Sequence, residues 1–362
     1  MNGTFDELCD LYERGAFSQI EKYDNGFDFL LLRAMSRPAL LKEYGEYAGL
    51  EIPTDTKSSH LFKLIFEQSF PQDMVMRFIN NKFSQEREER KSKENFLYTQ
   101  LYKLEILDWG GLYQNALEQN IVNNYVKKIM DFDELNKKID TEIHPSLVGY
   151  VNSSWYNHWS SILIEDMFKD HQIIIPAIGK VKGIDFFWNE TPLDLKVTFL
   201  PVEYMQMIRR KNNKSELSSM KSFAKEHDID FDNEATNKNI FNELFRKISE
   251  SQAPEAIEFF TEFKKERLDI VEDVLKEPKK LAKWLYENQG EKRFDASNRF
   301  YLILIDSNNL EQSWKLKRNR DVLPTKITEF LNEKQKNQVI ELDFEWRGTR
   351  YTTKCFVLFI MI

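Results

Sequence analysis

Asp185, Asp194 and Lys196 lie within one short segment, Gly183-Ile-Asp-Phe-Phe-Trp-Asn-Glu-Thr-Pro-Leu-Asp-Leu-Lys-Val-Thr-Phe-Leu200. Asp194 and Lys196 are two apart, so on a strand both side chains leave one face, while Leu193, Leu195 and Val197 leave the other. If the stretches before and after Asn189 pair as a hairpin, Asp185 comes to lie near Asp194. Two carboxylates converging on a rigid sheet repel each other unless a cation sits between them. Hard oxygen donors select Mg²⁺, with Mn²⁺ as a substitute. A lysine beside such a cation can orient a nucleophilic water and face the negative charge that builds on a scissile phosphate. The chemistry these residues suit is metal-dependent phosphodiester hydrolysis.

Positioning them requires a particular order of elements. Apolar spacing predicts a helix over about residues 153–169, carrying Trp155, Trp159, Ile162, Leu163 and Met167. Trp155 and Trp159 are one turn apart and read as core residues. Three strands follow, Gln172 to Pro176, Gly183 to Trp188 and Leu193 to Leu200, punctuated by Gly179 and Gly183, with a tight turn at Asn189-Glu190-Thr191-Pro192. Residues 202–298 read as a charged helical insertion. Phe300 to Asp306 is too continuously apolar to be anything but a buried strand. A helix near Ile327 to Glu333 then leads to a terminal pair, Val339 to Trp346 and Tyr351 to Ile360, joined through Arg347-Gly348-Thr349. Upstream, residues 1–150 are mainly helical by spacing, with Phe27 to Leu41 and Phe62 to Phe83 as examples and Pro38, Pro53 and Pro71 as breaks. The charge run Ser84 to Lys93 reads as a solvated helix face or linker. The expected fold class is α/β.

The helix, the three strands and the Asp185, Asp194 and Lys196 spacing resemble the PD-(D/E)xK nuclease superfamily, which includes many restriction endonucleases. The resemblance covers roughly residues 153–200, with the Phe300 strand as a further core strand. It implies that Asp185 is the first metal-binding acid, Asp194 the second and Lys196 the motif lysine. Ile184 stands where the motif's nominal proline would be. Similar nucleases often add a glutamate from the preceding helix, for which Glu165 is the candidate and Asp166 the alternative. The resemblance further implies a restriction-endonuclease-like core over residues 151–362, a mixed central sheet flanked by helices and interrupted by the helical insertion. Residues 1–150 would serve DNA recognition or regulation. The implied activity is that of a type II restriction endonuclease cutting double-stranded DNA at a specific sequence, by in-line attack of a metal-activated water on phosphorus. A homodimer in a prokaryotic cytoplasm is expected, since a two-fold matches a palindromic site. Two alternatives stand beside it: an effector nuclease that waits for an activator, and a noncatalytic DNA-binding protein that keeps the fold.

Composition narrows the field. The chain has 362 residues, 41% of them hydrophobic, enough for a core and by length for about two domains. A formal net charge of −8 argues against general coating of polyanions but not against a local basic cleft. Lys315, Lys317, Arg318 and Arg320, beside Trp314, form one basic segment that could follow a DNA backbone. Arg209-Arg210-Lys211 reads as solvent-facing. The five histidines show no metal-ligand spacing, and His158 reads as a packing residue. Cys9 and Cys355 give neither a disulfide framework nor a thiolate zinc site and suit a reducing compartment. There is no glycine-rich phosphate loop, dinucleotide fingerprint or Gly-x-Ser-x-Gly elbow, so no nucleotide cofactor is expected. The first residues do not read as a secretory signal, and no stretch approaches the roughly 20 apolar residues of a membrane span.

Overall fold

Thr4 opens the first helix with a reciprocal cap: its hydroxyl accepts the Glu7 N–H, and the Glu7 carboxylate accepts the Thr4 N–H at 2.9 Å. The computed structural model describes residues 1–53, 56–68, 71–107, 117–179, 181–234, 237–288, 297–333, 338–346 and 348–362. Its first helices are α1 (Phe5–Glu13), α2 (Phe17–Ile20), α3 (Gly26–Arg33), α4 (Pro38–Ala48), α5 (Ser58–Glu67) and α6 (Gln72–Leu101). Their apolar faces close around Phe29, Leu30, Leu31 and Leu32 of α3 and take in Ala177, Ile178, Ile184 and Phe187 from beyond residue 150. The N-terminal region and the predicted nuclease core therefore share apolar surface. Burying Phe187 alone favours that association by roughly 1.5–3 kcal/mol.

Two short helices, α7 (Leu117–Ile121) and α8 (Phe132–Lys138), precede α9 (His144–Lys169), which starts with Pro145 in its first turn, where a missing N–H costs nothing. The C-terminal half of α9 buries Leu163, Ile164 and Phe168. In its N-terminal half, Trp155 and Trp159 are each 37% exposed, so the expectation that both are core residues fails. One-turn spacing puts them on a common face, but no described element covers that face completely.

The meander forms as predicted, with the first two strands shorter and the third starting earlier, so that Thr191 and Pro192, expected in the turn, belong to the strand. β1 (Ile174–Pro176), β2 (Phe186–Trp188) and β3 (Thr191–Phe199) pair antiparallel in sequence order. Trp188 opposes Thr191, leaving Asn189 and Glu190 as the turn, and Asn189 takes the left-handed φ of 51° that asparagine tolerates. After α10 (Val202–Lys211), α11 (Glu216–Glu226), α12 (Asn237–Glu250), α13 (Pro254–Lys276) and α14 (Pro278–Asn288), the chain returns as β4 (Arg299–Ile305), parallel to β3. All seven β4 residues are buried, as continuous hydrophobicity demands. A 3₁₀ run at Leu310–Arg318 and α15 (Leu323–Asn332) lead to β5 (Ile340–Trp346) and β6 (Thr349–Met361). Of the turn between them, Arg347 lies outside the described residues, while Gly348 has a φ of 76°.

The described strands make a six-stranded mixed sheet in the order β1-β2-β3-β4-β6-β5, so the fold is α/β with helices on both faces. One face packs Leu193, Phe300, Leu302 and Phe356 against α9 and α15. The other packs Tyr301, Ile303, Cys355 and Phe344 against α10, α13 and α14. The predicted insertion thus splits in role. Its α11 and α12 close a small core of their own with the first half of α13, around Met220, Phe223, Leu244 and Phe263, while α14 and the rest of α13 cover the sheet. No helix among the described residues is long and apolar enough to cross a membrane.

Candidate active site

Asp185 lies one residue before β2, and its backbone extends the hairpin: its N–H donates to the Leu193 carbonyl at 2.8 Å. Its carboxylate Oδ2 accepts the Leu195 N–H at 2.7 Å, which fixes it beside Asp194 on β3. Lys196, two residues on and projecting from the same face, places Nζ 2.6 Å from Asp194 Oδ1. The Asp194 side chain is 13% exposed and that of Lys196 40%, so the acid sits inside and the ammonium at the opening. Asp185 is pushed up to about 7 by burial first, then by the negative charges of Glu165 and Asp194; the Leu195 N–H and Lys196 oppose the rise. Negative charge is under-compensated at this point of the molecule.

The third acid comes from α9. Glu165 pairs with Lys169 one turn along at 2.5 Å, and Lys169 also donates to the Ala177 carbonyl at 3.0 Å. The Ala177 N–H in turn donates to the Asp185 carbonyl at 3.0 Å, so Lys169 ties the helix acid to the strand acid. Asp166 points elsewhere. It is 3% exposed and accepts two 2.8 Å hydrogen bonds from Arg90 of α6, with Arg87 at 3.5 Å. Arg87 is itself buried and grips Asp170 with bonds of 2.9 to 3.1 Å. Of the two neighbouring acids, Glu165 is the one whose charge bears on Asp185, while Asp166 is taken up by the arginines of α6. The charge run on α6 is correspondingly not all solvated, because two of its arginines hold α9.

Sequence reading missed Arg299. The parallel register sets it opposite Asp194, and its Nε lies 3.7 Å from Asp194 Oδ2. It is 3% exposed, stacks on Tyr286 at 4.7 Å and donates to the Tyr301 hydroxyl at 3.3 Å. Burial works against its charge, but Tyr301, Tyr286 and Asp194 together hold it protonated above its ordinary value. A lone arginine opening an apolar strand, Arg299-Phe-Tyr-Leu-Ile-Leu-Ile305, was the available signal. The N-terminal region reaches the same end of the sheet, where Asn298 bonds Glu21 at 2.9 Å and accepts the Asp194 N–H through its carbonyl at 3.0 Å.

The basic segment is only partly a surface. Lys317 and Arg318 face inward, 5% and 7% exposed, which corrects their reading as DNA-binding residues. Lys317 bonds Asn157 at 2.7 Å, and burial pulls its ammonium down to about 8. Arg318 donates to the carbonyls of Leu101 and Leu104 at 2.7 and 2.8 Å, satisfying the last turn of α6. Within the 3₁₀ run Lys315 is half-buried over Trp314, and Arg320, two residues beyond its end, is exposed beside Asn95.

Among the described residues no three His, Cys, Asp or Glu side chains converge as a ready-made metal cage. Mg²⁺ does not require one, since it is commonly held by one or two carboxylates, with water and substrate phosphate completing its shell. Asp185 and Asp194, with Glu165 nearby, fit that donor chemistry, and the raised Asp185 marks the charge a cation would offset. No protein-family model, curated protein or solved structure matches this chain.

Proposed function

We propose that the protein is a Mg²⁺-dependent endonuclease that hydrolyses DNA phosphodiester bonds, with a restriction-endonuclease-like core, acting as a type II restriction enzyme on double-stranded DNA. The observation that carries this reading is the meeting of Asp185 and Asp194 across the β2–β3 hairpin with Lys196 on the same face. The succession α9, β1, β2, β3 and then a parallel β4 supports it, because it is the order in which a PD-(D/E)xK core presents its acids.

Asp185 and Asp194, with Glu165, would hold the metal. Bound there, Mg²⁺ or Mn²⁺ would supply polarisation of the scissile phosphate and a lowered pKa for water. Lys196, at the opening, orients the attacking water and faces the charge that accumulates on the phosphoryl oxygens. Arg299 faces Asp194 from within the sheet and holds its carboxylate in place. Lys169 fixes the Glu165 carboxylate against the β1 end. Lys315 and Arg320 remain as candidate backbone contacts, and a homodimer would set two such sites on opposite strands.

Purified wild type and Lys196→Ala, incubated with plasmid and phage DNA in Mg²⁺ or in EDTA, test the proposal. Discrete fragments from wild type in Mg²⁺ alone are expected, and sequencing their ends gives site and cut position together. Intact DNA that the protein nevertheless binds would move the reading to the noncatalytic alternative. The activator-dependent alternative is favoured by one contact: Phe17 of α2 packs against Gly183, two residues from Asp185. Cleavage appearing only after a ligand or partner is added would establish it.

A further inference from the structure

Arg33, in the last turn of α3, is a half-buried cation with its flat faces used and its edge unclaimed. Its guanidinium lies 4.4 Å from the Tyr12 ring and 5.6 Å from the Phe62 ring. Among the described residues it forms no ion pair, and its buried Nε finds no hydrogen-bond acceptor. A guanidinium carries five N–H donors; the Nε of Arg33 is enclosed, so the edge a ligand can reach is that of its two terminal nitrogens.

The space in front of it is a cavity of about 280 Å³ lined by Tyr12, Glu13, Phe17, Arg33, Ser36 and Lys182. Tyr12 and Phe17 stack with centroids 5.4 Å apart and give it an aromatic wall. Phe17 takes that position because Gly183, with a φ of 78°, has no side chain. A Cβ there would stand 3.3 Å from the Phe17 ring.

We infer that this cavity binds a small phosphate ester, an assignment that does not depend on the nuclease reading. The Arg33 edge matches a phosphate's paired oxygens, the Ser36 hydroxyl adds a neutral donor and Lys182 a second positive charge. Glu13 accepts from hydroxyl or amino groups on the ester's body, and the buried Tyr12–Phe17 pair closes the apolar side. The volume falls just below the roughly 300 Å³ at which small-molecule pockets usually begin, so the ligand is no larger than a single nucleotide or sugar phosphate. Duplex DNA does not enter.

Calorimetric titration of the full chain in EDTA, with adenosine 5′-monophosphate and with inorganic phosphate as probes, tests this without requiring cleavage. Wild type binds one equivalent of the monophosphate. Arg33→Gln weakens it by about tenfold or more, as expected for loss of charge-assisted hydrogen bonds. Ser36→Phe, which fills the cavity from its rim, abolishes binding and decides the matter if Arg33→Gln fails to fold. Far-UV circular dichroism and Tm are compared for each. Absence of binding by either probe at millimolar concentration, or wild-type affinity in folded variants, overturns the assignment. Binding competed away by a short DNA duplex would overturn it equally, since the site would then belong to the DNA surface.

Discussion

Lys196 and Asp194, two residues apart on β3, form an ion pair with Nζ 2.6 Å from Oδ1, and the lysine is the more exposed partner. A partly exposed pair of this kind contributes little to folding, about 0–1 kcal/mol. Its worth under the proposed function is chemical. Lys196→Ala is expected to lower the plasmid cleavage rate by roughly 10²-fold or more, the usual cost of removing one donor that faces transition-state charge. Tm should move by no more than a few degrees. Wild-type cleavage by Lys196→Ala would remove this residue from the mechanism.

Asp185 gives the pH dependence. Its raised value of about 7 means that the folded chain keeps a proton the unfolded chain releases near pH 4. The sign follows from linkage: the metal-free protein is stabilised by this group below about pH 4, and that contribution is lost as pH rises through about 7. Asp185→Asn, which cannot ionise, should flatten the dependence of Tm on pH and raise Tm at pH 8 without metal. Because metal binding must displace the proton, Mn²⁺ affinity followed by paramagnetic resonance should fall about tenfold per pH unit below 7. A pH-independent affinity between 5 and 7 would show that Asp185 is not a ligand.

Glu165 and Asp166 are neighbours with opposite fates, so mutating each separates function from folding. Glu165→Gln should lower metal affinity and cleavage while leaving the denaturation midpoint near that of wild type. Asp166→Asn takes from Arg90 its charge-assisted bonds at 2.8 Å while Arg87 keeps Asp170, at a cost of roughly 1.5–3 kcal/mol in urea denaturation. Equal stability losses in the two variants would refute the division of roles.

What was legible in the sequence depended on local patterning. The β2–β3 hairpin could be read because Asn189-Glu190 interrupts two apolar runs, and Asp194 and Lys196 because a two-residue period fixes their common face. The burial of β4 was equally plain, since no charged residue falls between Phe300 and Ile305. Arg299 was not legible, because its partner Asp194 lies across a parallel pairing that no local period encodes. Arg87 and Arg90 look solvated in a charge run; Arg87 becomes interior and Arg90 partly buried only when Asp166 and Asp170 are presented to them from α9 and its end. Trp155 and Trp159 fail in the opposite sense: helix periodicity defines a face but not whether anything packs on it.

The basic segment gives the last test, because its four cations divide by burial. Arg318 donates to two carbonyls at the end of α6 and stacks on Tyr102 at 4.6 Å, so Arg318→Ala leaves those acceptors without their donor. About 3 kcal/mol of stability should be lost, measured by urea denaturation, with the salt dependence of DNA binding unchanged. Lys315 and Arg320 are the accessible pair. Under the proposed function, Lys315→Ala and Arg320→Ala should leave stability nearly untouched. Each should reduce the slope of log affinity against log salt by about one, the signature of one phosphate left without its neutralising cation. Fluorescence anisotropy of a labelled duplex over a salt series, in EDTA to prevent cleavage, distinguishes the two outcomes. An unchanged slope in both surface variants would mean that DNA approaches the Asp194 opening by another route, leaving the 3₁₀ run with only its structural task of joining α6 to α9.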